Sequence, residues 1–109
     1  QVVKMVVSAI TSNEEWASKV KGGSGLTVVD FHAVWCGPCK AIAPFVSELS
    51  EKYSDVTFVK VDVDELPDVA QEADVTAMPT FAFYKGGEKI AEMVGAKKDR
   101  LEELVQQHK

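Results

Sequence analysis

Apolar residues change their spacing several times along the chain, and each change predicts an element. Val2 to Val7 is rich in β-branched residues and reads as a strand. Ser12-Asn13-Glu14-Glu15 follows, with Ser12 placed to cap a helix and Glu15 placed to close a capping box, so a helix is expected to about Val20 or Lys21. The glycines of Lys21-Gly22-Gly23-Ser24-Gly25 cannot continue it. Leu26 to Phe31 is an almost unbroken apolar run, the pattern of a strand buried on both faces, and it is the expected central strand.

From Pro38 to about Tyr53 the apolar positions Ile42, Phe45, Val46 and Leu49 recur at helical spacing. Pro38 suits the first turn, and Pro44 falls inside the helix, where a kink is expected. Thr57 to Val63 reads as a strand, Pro67 to Ala73 as a short helix and Thr80 to Tyr84 as a strand. Lys85-Gly86-Gly87-Glu88 reads as a hairpin turn, with a returning strand at Lys89 to Val94 and a closing amphipathic helix from Lys97 to Gln107. The order βαβαβα then ββα calls for parallel strands joined by crossover helices, with an antiparallel pair at one edge. The expected fold is α/β, a mixed sheet with helices on both faces, and 109 residues suit a single domain spanning 1–109.

Composition narrows the function. Seventeen acidic residues against 12 basic ones leave a net charge of -5, and no basic cluster exceeds Lys97-Lys98, so neither nucleic acid nor an anionic membrane is an expected partner. No apolar run nears the roughly 20 residues that span a bilayer, and the start QVVKMVVSAI lacks the pattern of a secretory signal. A soluble protein is expected. Small secreted domains carry several disulfides, whereas this chain has two cysteines in one close pair, which favours a reducing, cytoplasmic setting.

That pair lies in WCGPCK, Trp35 to Lys40, between the central strand and the helix after it. Cys36 therefore falls at a helix N-terminus, where unpaired N–H groups and the helix dipole stabilise a thiolate, the nucleophilic form. Cys39, three residues on, shares that helix face and can close a disulfide with Cys36. Cys36 is thus the expected attacker and Cys39 the resolver. A purely structural bridge would close too short a loop to remove much unfolded-chain entropy. A zinc site would need two more ligands, and His32 and His108 lack ligand spacing, so no metal is expected. Two inert buried thiols fit poorly with Gly37-Pro38 between them, which signals a turn near the surface.

The chain resembles the thioredoxin family, in its eukaryotic cytosolic branch, over essentially its whole length. The matching motifs are VVDF at Val28 to Phe31, WCGPCK, KVDVDE at Lys60 to Glu65, AMPTF at Ala77 to Phe81 and VGA at Val94 to Ala96. The resemblance implies a thioredoxin fold of five strands in a mixed sheet flanked by four helices. It implies that the protein reduces disulfides of protein substrates through a reversible Cys36–Cys39 dithiol/disulfide and binds no cofactor itself. Electrons would come from NADPH through thioredoxin reductase, and the protein would be a monomer. Two other readings remain: a disulfide-isomerase-like oxidant, which typically has His where Pro38 stands, and a redox-independent protein-binding subunit or holdase.

Asp30 is a carboxylate in a buried strand, where desolvation raises the pKa toward neutrality, although an Asp at a strand end bonded to backbone fits the same position. The resemblance implies that Asp30 is the base for Cys39 and that Lys60, otherwise readable as solvated surface, is its electrostatic partner. It further implies that Pro79 is cis against the dithiol and leaves the Met78 backbone free to pair with substrate. Trp35, Gly37, Pro38, Ala77, Met78, Gly95 and Ala96 would form a flat apolar docking surface, with Gly95 and Ala96 letting a substrate backbone approach. Trp16 reads as core, and Asp62, Asp64, Glu65 and Asp68 as a solvated acidic face. The chain departs from common family patterns at His32-Ala33-Val34, where His32 titrates near neutrality and can perturb Cys36 or simply meet solvent. The extra cysteines that regulate some animal thioredoxins are absent.

Overall fold

The computed structural model describes residues 7–109. Of the strand expected over Val2 to Val7, residues 2–6 lie outside the described residues; β1 is Val7–Ala9. Helix α1 is Asn13–Trp16, and the chain runs on through Ala17–Lys21 in wider, π-type turns. Ser12 caps it as expected, its Oγ accepting from the Glu15 N–H at 3.0 Å. The Glu15 carboxylate closes the box one residue further back, accepting from the Thr11 N–H at 2.6 Å and the Thr11 hydroxyl at 3.0 Å. Those bonds and Lys19 hold the Glu15 carboxyl down to about 2.

Strand β2 is Leu26–His32, α2 is Gly37–Lys52, β3 is Thr57–Asp62 and α3 is Pro67–Glu72. Strands β4 (Thr80–Lys85) and β5 (Glu88–Val94) form the hairpin, and α4 is Lys98–His108. The sheet order is β1-β3-β2-β4-β5, with β2 in the centre. Helix α2 continues through Pro44, which has no N–H to offer the Lys40 carbonyl.

One feature of the topology exceeds the sequence expectation. Not only β5 against β4 but also β4 against β2 is antiparallel. Strands β2 and β3 run parallel and β4 opposes β2, so β4 enters the sheet from the end where β3 stops.

Alternate residues of β2 feed two cores. Val28, with Phe58, Phe81 and Phe83, packs against Ile42, Val46 and Leu49 of α2 and Leu101 and Val105 of α4. Val29 and Phe31, with Val59, Val61 and Ala82, pack against Trp16, Val20 and Val69 on the other face. Trp16 is core, as expected, edge-on to Tyr84 at 5.4 Å between ring centroids. Its indole N–H donates to Glu72 Oε2 at 3.2 Å, which ties α1 to α3.

The hairpin turn has φ +62° at Gly86 and +81° at Gly87, the left-handed pair that a tight turn requires. The two sites differ in their surroundings: a Cβ on Gly87 would lie 2.3 Å from the Lys21 carbonyl oxygen, whereas nothing lies within 4 Å of one on Gly86. Gly87→Ala is therefore expected to cost roughly 2–4 kcal/mol in urea unfolding, from left-handed strain plus a backbone clash. Gly86→Asn should cost less than about 1 kcal/mol. Equal losses at the two positions would show that the contact with Lys21 is not what selects glycine at 87.

Candidate active site

Strand β2 ends at His32, and the chain crosses Ala33, Val34 and Trp35 before α2 begins at Gly37. Cys36 is the N-cap of α2, held by its N–H to the Ala33 carbonyl at 3.1 Å. The Cys39 N–H points back at Cys36 Sγ, 3.2 Å away. That amide and the positive end of a sixteen-residue helix are the groups that stabilise a thiolate on Cys36. The two cysteines are joined in a disulfide with Cα atoms 5.3 Å apart. The turn is at the surface, as expected, since Gly37 and Pro38 are exposed. The cysteines themselves are sheltered, with 4% of Cys36 and 5% of Cys39 accessible.

Around the disulfide the chain leaves apolar groups in solvent. Trp35 is 65% exposed and Val34, which sequence reasoning passed over as a docking residue, is 67% exposed. Val94 is also exposed. Ala33-Val34-Trp35 is apolar throughout and too short for a periodic pattern, so no sequence signal singles Val34 out. Trp35 is not purely apolar in its contacts, because its indole N–H donates to Asp64 Oδ2 at 3.0 Å. The acidic residues are correspondingly more than a solvated face. Asp62 Oδ1 accepts from the Asp64 N–H at 2.8 Å and holds the loop that presents Asp64 to Trp35.

On the other side of the disulfide, the Met78–Pro79 bond is cis and Pro79 is buried. Met78 packs against Ala33, Cys36 and Cys39. Among the described residues neither its N–H nor its carbonyl has a backbone partner. The neighbouring turn is held by the Thr80 hydroxyl donating to the Ala77 carbonyl at 2.6 Å and by the Gly95 N–H donating to the Pro79 carbonyl at 2.9 Å. Gly95 has φ +102°, so this close approach depends on glycine. Ala77 and Ala96 are exposed beside it.

Behind the disulfide lies a cavity of about 310 Å³, lined by Asp30, His32, Ala33, Val34, Cys39, Lys40, Ala43 and Lys60. Asp30 is 7% accessible, and its Oδ1 has no hydrogen-bond partner among the described residues, so it is not an Asp tied to backbone. Burial pushes its carboxyl up to about 7, against the opposing pull of Lys60. Lys60 sits beside Asp30 in the register of β2 with β3, which places both on the α2 side of the sheet. His32 lies at the cavity wall, and burial lowers its pKa against the attraction of Asp62. The structure thus brings Asp30, Lys60, Cys39 and His32 to one side of the disulfide, and Trp35, Met78 and Gly95 around its rim.

Among the described residues no three His, Cys, Asp or Glu side chains cluster as a metal would require, and no helix is long and apolar enough to cross a membrane.

The Thioredoxin family model matches residues 7–107. Thioredoxin-2 of Saccharomyces cerevisiae is 47% identical over 100 residues, 92% of this chain and 96% of the yeast protein. The thioredoxin of Ovis aries is 50% identical over 104 residues, 95% of this chain and 96% of the sheep protein. The crystal structure of a thioredoxin from Nicotiana alata superposes with a TM-score of 0.92 at 47% identity, covering 100% of this chain and 97% of that one. A cysteine pair closed across a helix N-terminus, within a fold and sequence shared this widely, has one chemical use: the chain belongs to the thioredoxin family and is a thiol-disulfide oxidoreductase that reduces disulfides.

Proposed function

We propose that residues 1–109 act as a single, monomeric cytoplasmic domain that carries electrons from NADPH, by way of thioredoxin reductase, to disulfides in protein substrates. The observation that carries this reading is the placement of Cys36 as the N-cap of α2 with Cys39 closed onto it. The names of the yeast, sheep and plant relatives support it.

In this mechanism the reduced Cys36, as thiolate, attacks a substrate disulfide and forms a mixed disulfide, releasing one substrate sulfur. Cys39 then loses its proton and attacks Cys36 Sγ; the second substrate sulfur leaves, and Cys36–Cys39 is restored as a disulfide. Trp35, Ala77, Met78, Gly95 and Ala96, with Val34, form the docking surface, and the unpaired Met78 backbone is available to an extended substrate segment. Gly37 and Pro38 shape the first turn of α2, and Pro79 fills the space beside the dithiol.

Asp30 is the base for Cys39 in this reading. Its carboxyl is near half-ionised at neutral pH, Asp30 lines the same cavity as Cys39, and Lys60 favours the ionised form. Keeping it there destabilises the fold. The folded-state pKa of about 7 exceeds the usual 3.8, so the folded chain holds the proton more tightly. The destabilisation is absent below about pH 4, grows between about pH 4 and 7, and is complete above that at roughly 4 kcal/mol.

Two measurements follow. NADPH consumption with a thioredoxin reductase and insulin as substrate should be catalysed by the wild type and lost in Cys36→Ser; a redox-active wild type that supports no turnover would move the assignment to an oxidant or a binding subunit. Asp30→Asn should slow the resolving step roughly a hundredfold near pH 7. It should also raise unfolding free energy at pH 8 by up to roughly 4 kcal/mol, with little change at pH 4. A resolving rate equal to wild type would remove Asp30 from the mechanism, and an unchanged stability at pH 8 would show that its desolvation is relieved.

A further inference from the structure

The reading of Asp30 as base leaves one step without a residue. The proton taken from Cys39 must leave a carboxyl that is 7% accessible before the next cycle. The cavity behind the disulfide has a second titratable group on its wall: His32, two residues from Asp30 on β2 and therefore on the same face of the sheet. Asp30 is buried, whereas His32, the last residue of the strand, is half-buried and reaches toward solvent. The cavity's 310 Å³ is room for several waters at about 30 Å³ each, enough to link the two groups that line it.

We propose that His32 is a positioning residue for the resolving step, acting through Asp30 to pass the Cys39 proton between the buried carboxyl and solvent. This rests on Asp30 being the base. The Cys39 Sγ–H bond breaks and its proton goes to the Asp30 carboxylate; the thiolate electron pair forms the bond to Cys36 Sγ, and the Cys36–substrate bond breaks with its pair on the departing sulfur. The Asp30 carboxyl then gives its proton, through cavity water, to the neutral His32 imidazole, which releases it to bulk; the same exchange ionises the Asp30 carboxyls that carry a proton near pH 7 before Cys39 attacks, so its rate shows in the resolving step of a single turnover as well. Asp30 is again ionised and no oxidant or reductant beyond the substrate disulfide is needed.

The charges around His32 suit this use. Lys60 and Asp62 face it from β3, Glu65 from the following loop, Asp30 from its own strand, and Cys39 and Lys40 from α2. Burial outweighs Asp62 and Glu65 and, with Lys60, holds the imidazole below its usual pKa, so at neutral pH it is an open acceptor that does not retain the proton.

The test uses the reduced full chain and a chromophoric aryl disulfide, whose first thiolate release reports Cys36 attack and whose second reports resolution by Cys39. Wild type, His32→Gln, His32→Ser, Asp30→Asn and the His32→Gln/Asp30→Asn double variant are compared across neutral pH, with and without free imidazole. In both His32 variants the second release should slow about tenfold near pH 7, less than the roughly hundredfold lost with the base itself, and the first release should not change. Free imidazole should restore the rate, and the His32 substitution should have no further effect in the Asp30→Asn background. Slowing without imidazole rescue, or an equal effect in the Asp30→Asn background, would overturn the relay and leave His32 a structural residue. A His32 profile superimposed on wild type beside a slow Asp30→Asn would overturn the relay alone, and an Asp30→Asn rate equal to wild type would overturn the base and the relay together. Thermal melts of the two His32 variants keep the outcome readable, since serine at a half-buried strand end need not repack the core.

Discussion

Burial of β2 on both faces is the constraint from which the site's properties descend. Two hydrophobic clusters, one under α2 and α4 and one under α1 and α3, meet only through this strand and its neighbours. Because the strand is central, its C-terminal end is where the chain must leave the sheet, and the loop from Ala33 to Trp35 delivers Cys36 directly to the start of α2. The same burial strips water from Asp30. A carboxylate at that register position in an edge strand would keep its ordinary pKa and would be of no use as a base near neutrality.

Packing and chemistry pull against each other at this point. A leucine or asparagine at position 30 would stabilise the sheet above pH 7, since nothing among the described residues satisfies Asp30 Oδ1 and Lys60 offsets only part of the desolvation. The stability withheld there is what holds the proton affinity of Asp30 near neutrality, which the proposed exchange with Cys39 uses. The rest of the fold supplies it through well-filled cores in which Phe31, Phe58, Phe81 and Phe83 are fully buried.

The two sides of the disulfide divide the labour. The rim formed by Val34, Trp35, Met78 and Gly95 is the docking surface of the proposed mechanism, and the Trp35–Asp64 bond fixes the orientation of the largest of these groups. The cavity behind it brings the titratable groups Asp30, Lys60 and His32 together beside Cys39, and the proposed proton transfers take place there. Cys36 caps α2 and Cys39 lines the cavity, so one helical turn separates the two roles that the proposed mechanism gives them.

Much of this was legible in the chain. Two cysteines separated by Gly-Pro after a buried apolar run determined the redox pair and its place at a helix N-terminus, because periodicity and helix-end geometry are local properties. Ser12, Gly86 and Gly87 marked their cap and turn for the same reason. What depended on tertiary structure involved residues far apart in sequence. Trp35 with Asp64, Met78 against the cysteines, and the reversal of β4 beside β2 have no local signal, since each is set by how elements pack rather than by spacing. The sequence by itself determined the elements and the thiol chemistry; only the packed sheet decided how much water reaches Asp30 and His32, because desolvation is a property of everything that surrounds a group and not of the residues beside it in the chain.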